Sequence, residues 1–525
     1  MSSSSPSADR GPSLLAQPLR FTASAFLARN ATWNLLADGW IFLVLLVAMP
    51  HLVHVLGEAQ FGLFSLAWVA INYLGFLDIG VNRAVTKFVS EHLAAQDAES
   101  LRQVIRTAFF ANLALGLSGG AGVVLLSPSL IRFVLKLSEP LAGQAQLTFL
   151  AVGIAVPVLL VQGVLRAVLS SLQRFGWING VDALAAAAQW GGAWFLAARG
   201  HGVALVVFST VLARAGAVGA YGAVLSRSVP DLRWWNAGSF TGLGKLLRFG
   251  SWVSVSQLTS PLLAYADRIL IASFLSLPAV TLYAVPYEVI TRVRVIPSGL
   301  MGTLYPAFSE RSKSDGGQAL QRLYEGSIRY LSLLLLPGIL FLAVFSRDVL
   351  TLWMGPAFAG QPAVALQILA VGALANSLAY VPYGALQASG RPDLTGKFHL
   401  LELPLHLILC LMLIPRWGIA GAALASTLRF VLDAALLFWG ATRYCRCTWP
   451  TLWNGPVARM ALLACALLVS LEGVRWTVPQ AWLRLGLGAI LSAVYFLAAW
   501  FLIVAESEKP GISGALRMAL GQPAS

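Results

Sequence analysis

The stretch from Gln146 to Ser170, QLTFLAVGIAVPVLLVQGVLRAVLS, decides the fold class. It carries one ionisable residue, Arg166. A helix of this length matches the roughly 30 Å hydrocarbon core of a bilayer at about 1.5 Å per residue. Runs of the same kind recur near 33–55, 60–81, 106–126, 178–198, 202–225, 249–274, 279–305, 330–350, 363–387, 397–415, 417–440, 456–474 and 482–504. With 146–170 they predict an all-α integral membrane protein of about 14 transmembrane helices. Composition agrees. The 525 residues are 58% hydrophobic and 11% charged, against about 25% charged in an average soluble domain.

The net charge of +14 would point to nucleic acid in a soluble chain. Here the basic residues follow topology instead. With a cytoplasmic N-terminus, the even-side loops and both tails hold 23 Lys and Arg and the opposite loops hold seven, the bias expected of cytoplasmic loops. The loops are short, and no stretch interleaves basic and aromatic residues as a nucleic-acid groove would. The N-terminal Ser- and Pro-rich segment lacks the apolar region and cleavage site of a signal peptide. Cys410 and Cys465 lie in apolar runs, and Cys445-Arg446-Cys447 lacks the second ligand pair of a zinc site.

The chain repeats itself. Leu172–Gly176 (LQRFG) resembles Leu386–Gly390 (LQASG), Gly202-Val203-Ala204 resembles Gly418-Ile419-Ala420, Ser209-Thr210 matches Ser426-Thr427, and Leu63-Phe64 resembles Leu282-Tyr283, at offsets of 214–219. The common offset predicts two pseudo-symmetric six-helix bundles around a central cavity, a common transporter plan, plus two C-terminal helices. The expected divisions are a disordered cytoplasmic tail at 1–28, an N-terminal bundle at 29–225, a cytoplasmic linker at 226–248, a second bundle at 249–440, helices 13 and 14 within 441–505, and a cytoplasmic tail at 506–525.

Several short motifs occur in order along this frame: GEAQFGLF at 57–64, LDIGV at 77–81 followed by Arg83, YADRILI at 265–271, LYPAFS at 304–309 and LQASGRP at 386–392. Their order and spacing resemble the bacterial polysaccharide-export flippases of the multidrug/oligosaccharidyl-lipid/polysaccharide exporter superfamily, over about residues 25–505. The resemblance implies a V-shaped cavity between the bundles. It also implies an oligosaccharide on a polyprenyl pyrophosphate carrier as substrate, moved from the cytoplasmic to the periplasmic leaflet of the bacterial inner membrane for surface polysaccharide biosynthesis.

Ionisable residues within the proposed spans carry the chemical argument. Each costs roughly 2.5–3.5 kcal/mol at a helix centre, so such residues face a bundle interior or a wet cavity. The eighth span carries Glu288, Arg292 and Arg294. Glu288 and Arg292 share a helix face, while Arg294 is turned by about 200° from Arg292. A guanidinium fork binds a diphosphate bidentately, so Arg292, Arg294, Arg268 and then Arg214 are the candidate pyrophosphate ligands. Arg214 and Arg429 lie 215 positions apart, which also fits a shared architectural role. Arg429 and Asp433, four apart, read as an intrahelical pair.

Uphill export needs a coupling ion. Asp38, Asp78, Asp267 and Glu288 are the candidate carboxylates for a proton or sodium, with Asp78 read alternatively as a turn cap. The segment Gly238 to Lys245 has the wrong spacing for a phosphate loop, and Leu246 stands where a Ser or Thr is needed. No nucleophile–base set or metal signature stands out, so neither an enzyme nor a cofactor is expected. A drug/cation antiporter of the same superfamily would need an acidic or apolar cavity. A membrane glycosyltransferase or polymerase would need a large outer loop with catalytic acids. A membrane scaffold would not need so many buried charges.

The topology is testable with cysteines introduced into a version lacking the four native ones. A cysteine at Gln96 should react with an impermeant maleimide after permeabilisation only, and one at Ser138 should react in intact cells. The reverse pattern would invert the predicted orientation.

Overall fold

The structure is a computed structural model that describes residues 24–78, 80–229, 263, 265–311, 318–445, 447 and 455–503. Among these residues there is no strand. The helices are α1 (Ser24–Tyr73), α2 (Val81–Ala94), α3 (Ala98–Ser129), α4 (Leu141–Ser171), α5 (Phe175–Ala198), α6 (Val203–Ser228), α7 (265–274), α8 (Leu277–Val293), α9 (Val295–Arg311), α10 (Gln318–Met354), α11 (Gln361–Ala388), α12 (Pro392–Cys445), α13 (Gly455–Thr477) and α14 (Ala481–Leu502). Nine of the described helices are long and apolar enough to cross a membrane.

Several predicted boundaries change. Helix α1 starts at Ser24, within the segment expected to be a tail, and covers two predicted spans. Helix α12 likewise covers two. At 50 and 54 residues they would run about 75 and 81 Å if straight, more than twice the bilayer core. Each breaks at a glycine: Gly57 (φ 74, ψ 163) and Gly418 (φ 58, ψ −137). These are backbone conformations that a side chain disfavours. The predicted eighth span divides at Arg294, which caps α8 before α9. The predicted loop 82–105 contains α2. Its Val81, Ala84, Val85 and Val89 are buried at helical spacing, while Lys87 and Glu91 pair on the exposed face at 3.7 Å. Asp97 then caps α3, and the Ser100 hydroxyl and N–H hold its carboxyl below the usual carboxylate range. Most of the expected linker, the start of the 249–274 span and most of both tails lie outside the described residues.

Helices α1 and α3–α6 pack on one another, as do α8–α12, while α13 and α14 pack together against α10. Close approaches explain why small residues occupy particular sites. A Cβ on Gly116 would lie 2.4 Å from Pro157, and one on Gly120 would lie 2.2 Å from the Gly153 carbonyl oxygen, so α3 rests directly on α4. Arg484 bonds Asp348 at 2.6 Å and fastens α14 to α10. Outward faces carry Leu125, Leu462, Val469 and Phe501, each more than two-thirds exposed, as lipid contact requires. Trp177, Trp417, Trp439 and Trp482 are also exposed, near helix ends.

The two helix groups meet where α1 breaks. A Cβ on Gly62 would sit 2.1 Å from the Leu277 carbonyl oxygen at the start of α8. The Thr281 hydroxyl donates to the Glu58 carbonyl at 2.6 Å, and the Trp353 indole donates to the Leu46 carbonyl at 2.7 Å.

Replacing Gly120 with Val should separate α3 from α4 and destabilise the fold by about 1–3 kcal/mol. Gly122, with nothing near its Cβ position, should accept Ala without loss. Thermal unfolding in detergent checks both, and equal melting temperatures would contradict this packing.

Candidate functional site

A cavity of about 430 Å³ lies between the two groups, walled by α1, α4, α5 and α6 on one side and by α7 and α8 on the other. Arg166, Arg214, Arg268 and Arg292 all line it, with Asp182 and Glu288 as the carboxylates and Phe64, Trp68 and Trp190 as an aromatic wall. The aromatic rings pack on one another at 5.5–6.3 Å between centroids. Trp68, Glu288 and Arg292 also line a second cavity of about 360 Å³ that includes Arg294, Tyr265, Tyr287 and Tyr380.

Glu288 is the hub. Its Oε1 accepts from the Arg268 guanidinium at 3.0 Å, and its Oε2 lies 3.6 Å from Arg292. Arg268 is 1% exposed and lies between the rings of Tyr265 and Tyr287, 5.5 and 5.2 Å from their centroids. That packing fixes its guanidinium by cation–π attraction. Arg292 is partly exposed and its contact is longer, so it retains donors for a further anion. On the opposite wall Asp182 pairs with Arg166 at 3.3 Å and accepts from the Tyr221 hydroxyl. Arg214 sits over Trp68, 5.4 Å from the ring centroid. The large cavity therefore holds four arginines against two carboxylates.

The other candidate residues are placed elsewhere. Arg294 is bonded to Tyr380 and lines the second cavity rather than the first. Asp78 is buried. It accepts from the Asn112 amide at 3.0 Å and from the Asn82 N–H at 3.1 Å, as a cap for the start of α2. Asp267 is fully buried and accepts from the backbone N–H of Arg268, rather than from its guanidinium, at 2.8 Å. It also accepts from the Tyr283 and Ser426 hydroxyls at 2.5 and 3.3 Å. Neither Asp78 nor Asp267 lines the large cavity. The side chain of Asp38 lies outside the described residues.

The expected Arg429–Asp433 pair is not what forms. Arg429 faces Glu402 at 3.9 Å, and Asp433 accepts from the Asn376 amide at 3.4 Å. The break at Gly418 brings the first half of α12 beside the second, and a carboxylate across that contact competes with one four residues along the helix. His399, Glu402 and Asp433 have ligand atoms within 4.8 Å of one another. The sequence showed these residues in apolar runs, and the spacing of His399, Glu402 and His406 on one helix face was the available signal.

These features define a multi-span membrane protein with a strongly cationic cavity between two helix groups. The model described as "Polysaccharide biosynthesis protein" matches residues 27–312, and the chain belongs to that family. A second model, described as "Lipid II flippase MurJ", matches residues 233–493. A "Putative O-antigen transporter" of Shigella flexneri is 26% identical over 80% of this chain and 98% of its own length. A "Probable low-salt glycan biosynthesis flippase Agl15" of Haloferax volcanii is 25% identical over 73% of this chain and 76% of its own. The solved structure "Lipid II flippase MurJ, inward closed conformation" superposes with a TM-score of 0.71 at 12% identity, over 93% of this chain and all of that one. The fold is therefore shared.

Removing the hub charge should strand Arg268. Glu288→Gln leaves a buried guanidinium unpaired, a loss of about 3–5 kcal/mol, whereas Arg292→Gln, at a partly exposed site, should cost about 1 kcal/mol or less. Thermal unfolding ranks the two variants, and the opposite order would contradict the assigned hub.

Proposed function

We propose that this protein moves a polyprenyl-pyrophosphate-linked oligosaccharide from the cytoplasmic to the periplasmic leaflet of the bacterial inner membrane, for surface polysaccharide biosynthesis. The observation that carries the reading is the surplus of arginine in the large cavity, four guanidinium groups against two carboxylates. A diphosphate headgroup matches that surplus in charge and in its capacity for bidentate hydrogen bonds. The printed names of the relatives from Shigella flexneri and Haloferax volcanii, a transporter of O-antigen and a glycan flippase, support the same substrate class.

Arg292 and Arg214 are assigned the headgroup, because each lines the cavity from an opposite wall and neither has a close carboxylate hydrogen bond. Arg268 positions Glu288, and Arg294 serves the adjoining cavity. The Phe64, Trp68 and Trp190 wall offers flat apolar faces to sugar rings, in the manner of mostly apolar pockets with a few polar anchors. The polyprenyl tail remains in lipid.

With both termini cytoplasmic, the break in α1 and the start of α8 fall at the periplasmic side. Contacts through Gly62, Thr281 and Trp353 then close that side, so this state receives substrate from the cytoplasm. Rocking of the two bundles, with divisions near residues 29–225 and 249–440, exchanges access. Proton or sodium coupling drives the cycle, with Glu288 as the cavity carboxylate able to change partners. A cationic drug would meet repulsion in this cavity, which disfavours the antiporter reading.

In proteoliposomes holding a fluorescent polyprenyl-diphosphate sugar, the Arg214→Gln, Arg292→Gln double variant should flip lipid at least tenfold more slowly, the loss of one or two charge-assisted hydrogen bonds at about 1.5–3 kcal/mol each. Arg292→Lys should retain part of the activity, since charge survives and the bidentate fork does not. Unchanged flipping by a folded double variant would overturn the assignment.

A further inference from the structure

A further hollow, of about 500 Å³, lies beside the arginine cavity and is walled by α2, α4 and α5. Its walls follow from helical spacing. Asn82 and Thr86 stand four apart on α2, Arg166 and Ser170 four apart on α4, and Phe175 and Asn179 four apart on α5. Asp78 sets the first of these, because its carboxyl accepts from the Asn82 N–H and caps α2 there. The two spaces differ in charge. The large cavity holds four arginines and two carboxylates. Among the described residues lining the hollow, Arg166 is the one charged group, and Asp182 already engages it at 3.3 Å. The other polar walls are amides and hydroxyls.

Gly163, Arg166 and Asn179 line both spaces, so one ligand can span them. Gly163 makes the junction. A Cβ there would lie 2.4 Å from Asn82 Nδ2, so the missing side chain lets the Asn82 amide rest against α4. Two amide oxygens beside this junction are buried and accept no hydrogen bond among the described residues. They are Asn82 Oδ1 and, on the large-cavity side, Gln162 Oε1. The Thr86 hydroxyl donates to the Asn82 carbonyl at 3.0 Å, which leaves its lone pairs free to accept. A buried acceptor without a donor costs free energy that a ligand hydroxyl would restore. Amide and hydroxyl side chains supply both donors and acceptors, and the hydroxyl groups of a sugar match them.

We propose that this hollow binds uncharged, hydroxyl-rich sugars of the glycan while the arginine cavity holds its diphosphate. Charge selects the sugar class. An acidic sugar would find Arg166 alone, already engaged, and a basic sugar would find no acid among the described lining residues. The volume falls within the roughly 300–1,000 Å³ range of small-molecule sites. Phe175 supplies a ring face and the amides fix orientation. A site built to satisfy hydroxyl groups discriminates strongly, because an analogue lacking one leaves buried polar groups unpaired. Asn82 is therefore a specificity-determining residue, and Asp78 positions it.

This sugar site rests on the flippase reading and adds to it the part of the substrate that is recognised. With both termini cytoplasmic, the hollow lies at the cytoplasmic ends of α4 and α5. Substrate arriving from that side then fills both spaces together. A plain aqueous entrance would tolerate filling or trimming of these walls, and a sugar site would not.

The test measures binding of two lipids to the purified full-length protein in detergent. One is the lipid-linked oligosaccharide extracted from membranes of the source organism. The other is the same polyprenyl diphosphate without sugar. The wild type should bind the first about tenfold or more tightly, the effect of a few neutral hydrogen bonds. Asn82→Ala, which removes the amide, and Ser170→Phe, which fills the hollow, should each erase most of that difference. Both should leave affinity for the bare diphosphate lipid within about twofold. Should Asn82→Ala not fold, Thr86→Val and Ser170→Phe carry the comparison. A wild type that binds both lipids equally would overturn the sugar site and leave the diphosphate reading standing. So would a difference that survives in the folded variants, or variants that weaken both lipids alike. A wild type that binds neither lipid would overturn the flippase reading itself. Sugar analysis of the extracted lipid checks the class, and acidic groups on every sugar would contradict it.

Discussion

An arginine carried into a bilayer must be answered by an acid, a ring face or a bound anion, and this constraint organises the whole structure. Glu288 answers Arg268 first, at 3.0 Å, and Arg292 second, at 3.6 Å. Arg214 has a tryptophan face, 5.4 Å from the ring centroid, and no close carboxylate. Charge that the protein itself does not neutralise is thus held at the boundary between two helix groups. Low dielectric strengthens its attraction for an anion there, and the cavity walls keep its donors in fixed positions.

The helical frame serves that arrangement. Small residues bring α3 onto α4, Gly57 and Gly418 break helices too long for one crossing, and the contacts near Gly62 join the two groups at one end. The polar residues then face each other across the gap between bundles. The two halves use the same crossing differently: in one a carboxylate is saturated by arginine and tyrosine, and in the other carboxylates outnumber the arginine beside them.

Much of this was legible in the sequence because membrane crossing imposes a long apolar period. Most predicted spans among the described residues lie within helices, although the second runs past the end of α1 and the eighth divides at Arg294, and Glu288 and Arg292 share a face as their spacing required. What was missed depends on contacts between distant segments. Arg429 faces Glu402 across the Gly418 break, at 3.9 Å, rather than pairing with Asp433 along its own helix. His399 and Asn376 join the cluster from positions whose spacing to Asp433 carries no period. Asp78 gives no sign in sequence of Asn112, which holds it 34 positions away. The helix α2 was readable from Val81, Ala84, Val85 and Val89, but its charges masked that apolar stripe.

Unneutralised arginine in the intramembrane cavity is proposed to recognise a diphosphate. This recognition is tested most directly by binding a series of short polyprenyl lipids to the purified protein, differing in headgroup alone: diphosphate, monophosphate and alcohol. Affinity should fall in that order, with at least a tenfold step between diphosphate and alcohol that disappears when Arg214 and Arg292 are both neutralised. Equal affinity for all three lipids would contradict it.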